Sequence, residues 1–196
     1  MALIRKGGKS QIRKNFTEYE LRSRSWEKGY FDIPPQFELS DITLNGLQII
    51  RDHFDVPMRV TSTQRSGIHN SDIDGAMNSY HLTGNAIDFK FLGFNATKTQ
   101  KKYHDDIRSQ GPLYQKLRDA GVGGFGMYET FNHIDSRIRL SVWDKTSNAT
   151  SAAVDPEADE GDEEPNVFDW YFWTKVGVIA VIVIILTIFI YKYFTK

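Results

Sequence analysis

Of the five histidines in the chain, two lie in dense polar surroundings. His81 belongs to the run S-Y-H-L-T-G-N-A-I-D, residues 79–88, and His133 to F-N-H-I-D-S-R, residues 131–137. Gly84 marks a turn, and the residues after it read as a strand. On that strand Asn85, Ile87 and Phe89 share one face, while Ala86, Asp88 and Lys90 share the other. A carboxylate within such an apolar strand is costly unless it is paired or bound to a cation. His81, just before the turn, can fold back to meet Asp88. His133 stands on a second short strand with Asp135 on its own face. Pairing the two strands brings His81, Asp88 and His133 within reach of one ion. Two imidazoles and one carboxylate leave a fourth position open for water, the pattern of catalytic rather than structural zinc. Zinc acidifies that water and polarises a carbonyl, so amide hydrolysis is the natural chemistry. On spacing alone the competing reading is a hydrogen-bonded structural role for each histidine.

Composition narrows the alternatives. The 196 residues hold no cysteine, which excludes disulfides, thiolate zinc sites, iron–sulfur clusters and a cysteine nucleophile. Any metal must be held by His and carboxylate. With 24 Lys+Arg against 25 Asp+Glu, the net charge of −1 lacks the basic excess of a nucleic-acid binder, and no nucleic-acid partner is expected.

The elements that must position these residues are short. Strand patterning occurs at 58–63, 86–91 and 133–140. Helical periodicity appears at 43–53, where Leu44, Leu47, Ile49 and Ile50 are apolar, and at 100–110. A third helix fits 112–120, with Pro112 at its start and Gly121 just past its end. Interleaved helices and strands indicate an α+β domain over residues 16–143. The cluster Gly121, Gly123, Gly124 and Gly126 lacks the residues of a phosphate loop and reads as tight turns before a strand.

Charge is segregated around that domain. Residues 1–15 carry Arg5, Lys6, Lys9, Arg13 and Lys14 without an acid, and read as a flexible basic arm. Residues 144–167 hold a run of Asp and Glu with Pro156 and Pro165, the composition of an extended, solvated linker. Residues 168–196 contain an uncharged apolar run at 176–190, flanked by Trp170, Tyr171, Phe172 and Trp173 before it and Tyr191, Tyr193 and Phe194 after it. As a helix, residues 170–193 reach about 36 Å, enough for a ~30 Å hydrocarbon core. The expectation is a single C-terminal transmembrane anchor in a lipid bilayer, with aromatic belts and snorkelling Lys175 and Lys192. Lys192 and Lys196 beyond the span place the tail on the cytoplasmic side, with the domain facing the cell wall or exposed from a viral membrane.

Three blocks, T-S-T-Q-R-S-G-I-H-N (61–70), N-S-Y-H-L-T-G-N-A-I-D-F (78–89) and G-V-G-G-F-G-M-Y-E-T-F-N-H-I-D-S-R (121–137), resemble those of the zinc D-alanyl-D-alanine peptidases. That family includes VanX- and VanY-type carboxypeptidases, murein endopeptidases, phage endolysin peptidases and, distantly, the Hedgehog domain. The resemblance covers roughly residues 16–143. It implies a small antiparallel sheet with flanking helices, a Zn²⁺ cofactor on His81, Asp88 and His133, and peptidoglycan peptides as substrate. It implies that Arg65 binds and polarises substrate, as a planar guanidinium suits a carboxylate or peptide oxygen. Ser62, Asn70 and Ser79 shape the pocket, and His69 either contacts substrate or caps a loop.

One position departs from the pattern. Several relatives place the general base three residues before the last zinc histidine, where this chain has Thr130. Asp135 and Glu129 are the remaining candidates, and Asp135 has a second possible role in fixing a ligand histidine or pairing with Arg137. The expected function is therefore a zinc-dependent peptidoglycan peptidase, endopeptidase or carboxypeptidase, anchored to a membrane and suited to a phage lytic enzyme. The rival readings are a peptide-binding module that keeps the fold without cutting, and a structural virion membrane protein.

Overall fold

A computed structural model describes residues 1–147, in which short strands thread through five helices. In chain order the elements are β1 (Ala2–Arg5), β2 (Gln11–Arg13), β3 (Phe16–Thr17), α1 (Arg24–Glu27), β4 (Gln36–Leu39), α2 (Asp41–Phe54) and β5 (Met58–Ser62). Then come α3 (Gly67–Asp72), β6 (Ala86–Phe91), α4 (Ala96–Arg108), α5 (Pro112–Asp119), β7 (Gly124–Tyr128), β8 (Asn132–Asp135) and β9 (Ser141–Lys145). The α+β class expected from sequence is what the chain adopts.

Helix α2 buries Leu44, Leu47 and Ile50 along one stripe, the spacing of a helix face turned to a core. It stops at Asp55, whose backbone is left-handed with φ 48°, two residues ahead of Pro57. Helix α5 starts on Pro112, where a missing N–H costs nothing, and buries Leu113, Tyr114 and Leu117.

The main sheet has the order β5-β6-β8-β7-β9. Its pairings are antiparallel except β7 with β9, which run parallel, so the expected antiparallel sheet is in fact mixed. The strand expected over 133–140 is split for a local reason. The Asp135 carboxylate accepts a hydrogen bond from Arg137 N at 3.0 Å and bends the chain away. The chain then returns as β9, and Ser141 N donates to Gly123 O at 2.9 Å.

The two faces of this sheet differ. Ile87, Phe89, Phe125, Met127 and Ile134 are buried with the helices in one apolar core, each worth about 1.5–3 kcal/mol relative to exposure. The opposite face carries one row across all five strands. Ser62 pairs with Asp88, Asp88 with His133, His133 with Gly126, and Gly126 with Trp143.

The N-terminal residues expected to form a flexible arm are built into the fold. β1 pairs with β4, and Ile4 lies fully buried in the core. Arg5 finds a counter-charge in buried Glu18, with Nε 2.9 Å from Oε1. An apolar residue among the basic ones and an acid thirteen positions later supply the contacts that composition does not show. At the other end, β9 runs through Lys145, and Asp144 accepts from Arg108 Nε at 2.8 Å, so the domain continues past the expected boundary at 143. The rest of the acidic linker and the expected anchor at 168–196 lie outside the described residues. Among the described residues no helix is long and apolar enough to cross a membrane.

Candidate metal centre

His81 precedes the Gly84 turn and folds back onto β6, as its spacing from Asp88 predicts. Gly84 adopts φ 73°, a left-handed conformation that glycine tolerates best. Asp88 comes from the middle of β6, and His133 from the residue directly opposite it on β8. All three side chains are buried. They form a group of metal-capable residues whose ligand atoms lie within 4.8 Å of one another.

The outer nitrogens decide what the inner ones can do. His81 Nδ1 stands 2.6 Å from the carbonyl of Thr63, and His133 Nε2 stands 3.0 Å from Asp135 Oδ2. Both partners only accept, so both outer nitrogens carry the proton. The inner nitrogens are then the ones left to face a metal. His81 Nε2 and His133 Nδ1 are 3.2 Å apart, and they lie 3.1 and 2.8 Å from Asp88 Oδ1. Bonds of about 2.0–2.1 Å at tetrahedral angles would separate ligand atoms by about 3.3 Å. Three acceptors at this spacing hold together around positive charge. The donor set, the separations and the fixed tautomers all fit zinc.

In the absence of a metal the positive charge is a proton on His133. Burial opposes charge on this ring, but hydrogen bonds to Asp135 and Asp88 outweigh it and lift it to about 9, so a metal ion must displace the Nδ1 proton that faces Asp88. Burial likewise works against ionised Asp88, and the neighbouring histidines hold it well below the usual carboxylate range. His81 is pushed down by burial, in favour of the neutral ring that binds metal.

Asp135 is fully buried. Besides His133 it takes Arg137 N at 3.0 Å, Arg137 Nε at 2.9 Å on Oδ1 and Arg137 Nη2 at 2.7 Å on Oδ2. Burial would raise its pKa, but His133 and Arg137 bring it down to about 2. Both oxygens are thus engaged on the far side of the His133 ring from the ligand atoms. Glu129 is exposed, and its Oε1 accepts from Ser147 N at 2.5 Å. That hydrogen bond lowers its pKa, and its charged neighbours are His104 and Asp144 rather than the ligand residues. Neither candidate base presents a free carboxylate to the ligand centre, and Thr130 is exposed beside Glu129.

Arg65 reaches the centre from the loop after β5. Its Nη2 lies 3.3 Å from Asp88 Oδ2 and donates to Ser62 Oγ at 3.1 Å, while Nη1 donates to Asn70 Oδ1 at 3.0 Å. Ser62 and Asn70 therefore aim the guanidinium. Ser79 acts locally, its Oγ accepting from His81 N at 3.4 Å. His69 is committed to the fold. Its Nδ1 meets Ser25 Oγ at 2.8 Å, Lys28 Nζ donates to its Nε2 at 3.1 Å, and its ring stacks on Tyr30 at 4.6 Å.

Three contributors escaped the sequence reading. The Thr63 carbonyl fixes His81. The Trp143 ring lies 5.1 Å from the His133 ring, and its Nε1 donates to Tyr128 Oη at 2.9 Å. Gly126 makes this possible, because a Cβ there would come within 2.6 Å of the indole. Of the glycines expected as turns, Gly121 does sit in a turn, with φ 91°, whereas Gly124 and Gly126 are strand residues that leave room for large neighbours. The alternation Gly124, Gly126, Tyr128 was the available signal, since residues two apart share a face.

A family model described as Peptidase M15 matches residues 14–135, more than half of the chain. No curated protein matches it.

Proposed function

We propose, from the premise that this chain belongs to the Peptidase M15 family of zinc metallopeptidases, that it hydrolyses stem or cross-link peptides of peptidoglycan at a D,D- or L,D-type bond. The observation that carries the reading is the set of three inward ligand atoms on His81, Asp88 and His133, spaced 2.8–3.2 Å apart. These residues would hold the zinc. When bound, zinc supplies a water of lowered pKa and polarises the scissile carbonyl. Arg65, held by Ser62 and Asn70 beside Asp88, offers a fixed cation to a substrate carboxylate or peptide oxygen. Asp135 acts through His133, keeping its ring turned so that Nδ1 faces the ligand centre.

The composition of 168–196 supports a membrane tether, and a linker of about twenty residues would let the domain work within about 70 Å of it. An anchored lytic enzyme of phage origin suits this arrangement. Fractionation of cells expressing the full chain tests the tether, which recovery in the aqueous fraction refutes.

A second reading is a module that grips peptide without cutting it. It draws on Asp135 and Glu129 both being engaged away from the ligand centre. Metal analysis followed by digestion of purified murein, with mass spectrometry of the fragments, separates the two. The peptidase reading expects one zinc per chain and defined fragments, both lost in His81→Ala. Zinc with bound but intact murein supports the module, and hydrolysis by a metal-free His81→Ala protein sinks both. The fragments also distinguish endopeptidase from carboxypeptidase.

A further inference from the structure

Tyr128 is the last residue of β7, two positions beyond Gly126 and on the same face. Gly126 is paired with His133 on one side and with Trp143 on the other. The Trp143 indole lies across Gly126, its ring 5.1 Å from the His133 ring and its Nε1 2.9 Å from Tyr128 Oη. The tyrosine hydroxyl is thus one indole away from a zinc ligand. On its other side the Tyr128 ring stacks on Phe131 at 4.2 Å and 13°. A ring clamped between two aromatic neighbours has its hydroxyl placed before substrate arrives.

The direction of the Trp143 bond matters. An indole N–H only donates, so Tyr128 Oη is the acceptor. The phenol's own proton is left to donate elsewhere. Tyr128 shares the sheet face that carries Asp88, His133 and Trp143. Burial pushes the phenol above its ordinary pKa, so it stays protonated at neutral pH.

We infer that the Tyr128 hydroxyl donates a hydrogen bond to the scissile carbonyl oxygen as that oxygen gains negative charge, with Trp143 as its positioning residue. The proposal rests on the zinc peptidase reading. No bond to Tyr128 forms and no proton leaves it. The hydroxyl serves as a preorganised donor, strongest where charge develops.

The test uses the full-length, zinc-loaded protein with soluble muropeptides. Tyr128→Phe keeps the ring and the Phe131 stack. The expected result is a kcat about 10²-fold lower, the loss typical of removing one such donor, with KM and zinc content unchanged. Trp143→Phe should lower kcat less, and the double variant should be no slower than Tyr128→Phe alone, since both act through one hydroxyl. An unchanged kcat in Tyr128→Phe overturns the proposal. So does a raised KM at constant kcat, which assigns the hydroxyl to ground-state binding, or a loss of zinc, which assigns it to the metal site. If the wild-type protein releases no fragment, the peptidase reading itself fails; if it does while Tyr128→Phe is equally fast, only this inference fails.

Discussion

Asp135 Oδ2 lies 3.0 Å from His133 Nε2, behind the ring whose Nδ1 faces Asp88. A carboxylate at that position decides which ring nitrogen carries the proton, and so which one is free for metal. It is itself held by Arg137 through a bidentate pair. The acid two residues after the ligand thus serves the ligand.

Asp135→Asn should weaken zinc binding about 10–100-fold, the usual cost of losing such a support. Competition with a chelating dye measures it. Excess zinc should then restore most hydrolysis. Failure of saturating zinc to rescue the rate would return Asp135 to the role of proton acceptor.

Glu129→Gln should leave murein hydrolysis unchanged and shift stability by no more than about 0.5 kcal/mol, as for other exposed positions. Its carboxylate is bound to Ser147 N rather than to the centre. A rate loss of about 10²-fold or more would mark it as a general base.

Gly126→Ala places a methyl 2.6 Å from the Trp143 indole. The ring must move, at about 1–3 kcal/mol for an overpacked site. Both the Trp143–Tyr128 hydrogen bond and the Trp143 contact with His133 are disturbed. The expected readouts are altered tryptophan fluorescence, a lower unfolding temperature and slower hydrolysis. An unchanged spectrum would show that the indole does not lie over Gly126.

Removing zinc with a chelator should lower the unfolding temperature, because an ion that binds only the folded site stabilises the fold. At free zinc 100-fold above Kd, the stabilisation is about 2.7 kcal/mol. Calorimetry with and without zinc reads it directly. The His81→Ala protein should show no zinc-dependent shift.

Acid stability carries the signature of Glu18. Hydrogen bonds from Arg5 and Ser10 lower its pKa from an ordinary 4.5 to about 2. Between those values the unfolded chain binds more protons than the folded one, so stability rises with pH there. The contribution is complete above about 4.5 and lost as pH falls toward 2. Urea titrations at pH 3 and pH 6 should show a smaller difference for Glu18→Gln than for wild type.

His81, Asp88 and His133 were legible in the sequence because a buried carboxylate and two histidines in polar turns have few inexpensive explanations. The strand at 86–91 was legible from its apolar content between a turn and a glycine, and helices α2 and α5 from period and end signals. Those are local properties, written in neighbours along the chain. The N-terminal strand was hidden because Arg5 is stabilised by Glu18, thirteen residues away. The parallel strand β9 was hidden because its partner β7 precedes it by more than ten residues. Register between distant strands is set by which faces can be buried together, and no single segment carries that information. Residue types therefore determined that a metal site of His and Asp was available in this protein. Tertiary pairing decided that Asp88 stands opposite His133, that Asp135 turns toward a ligand ring rather than a water, and that Gly126 admits Trp143 beside Tyr128.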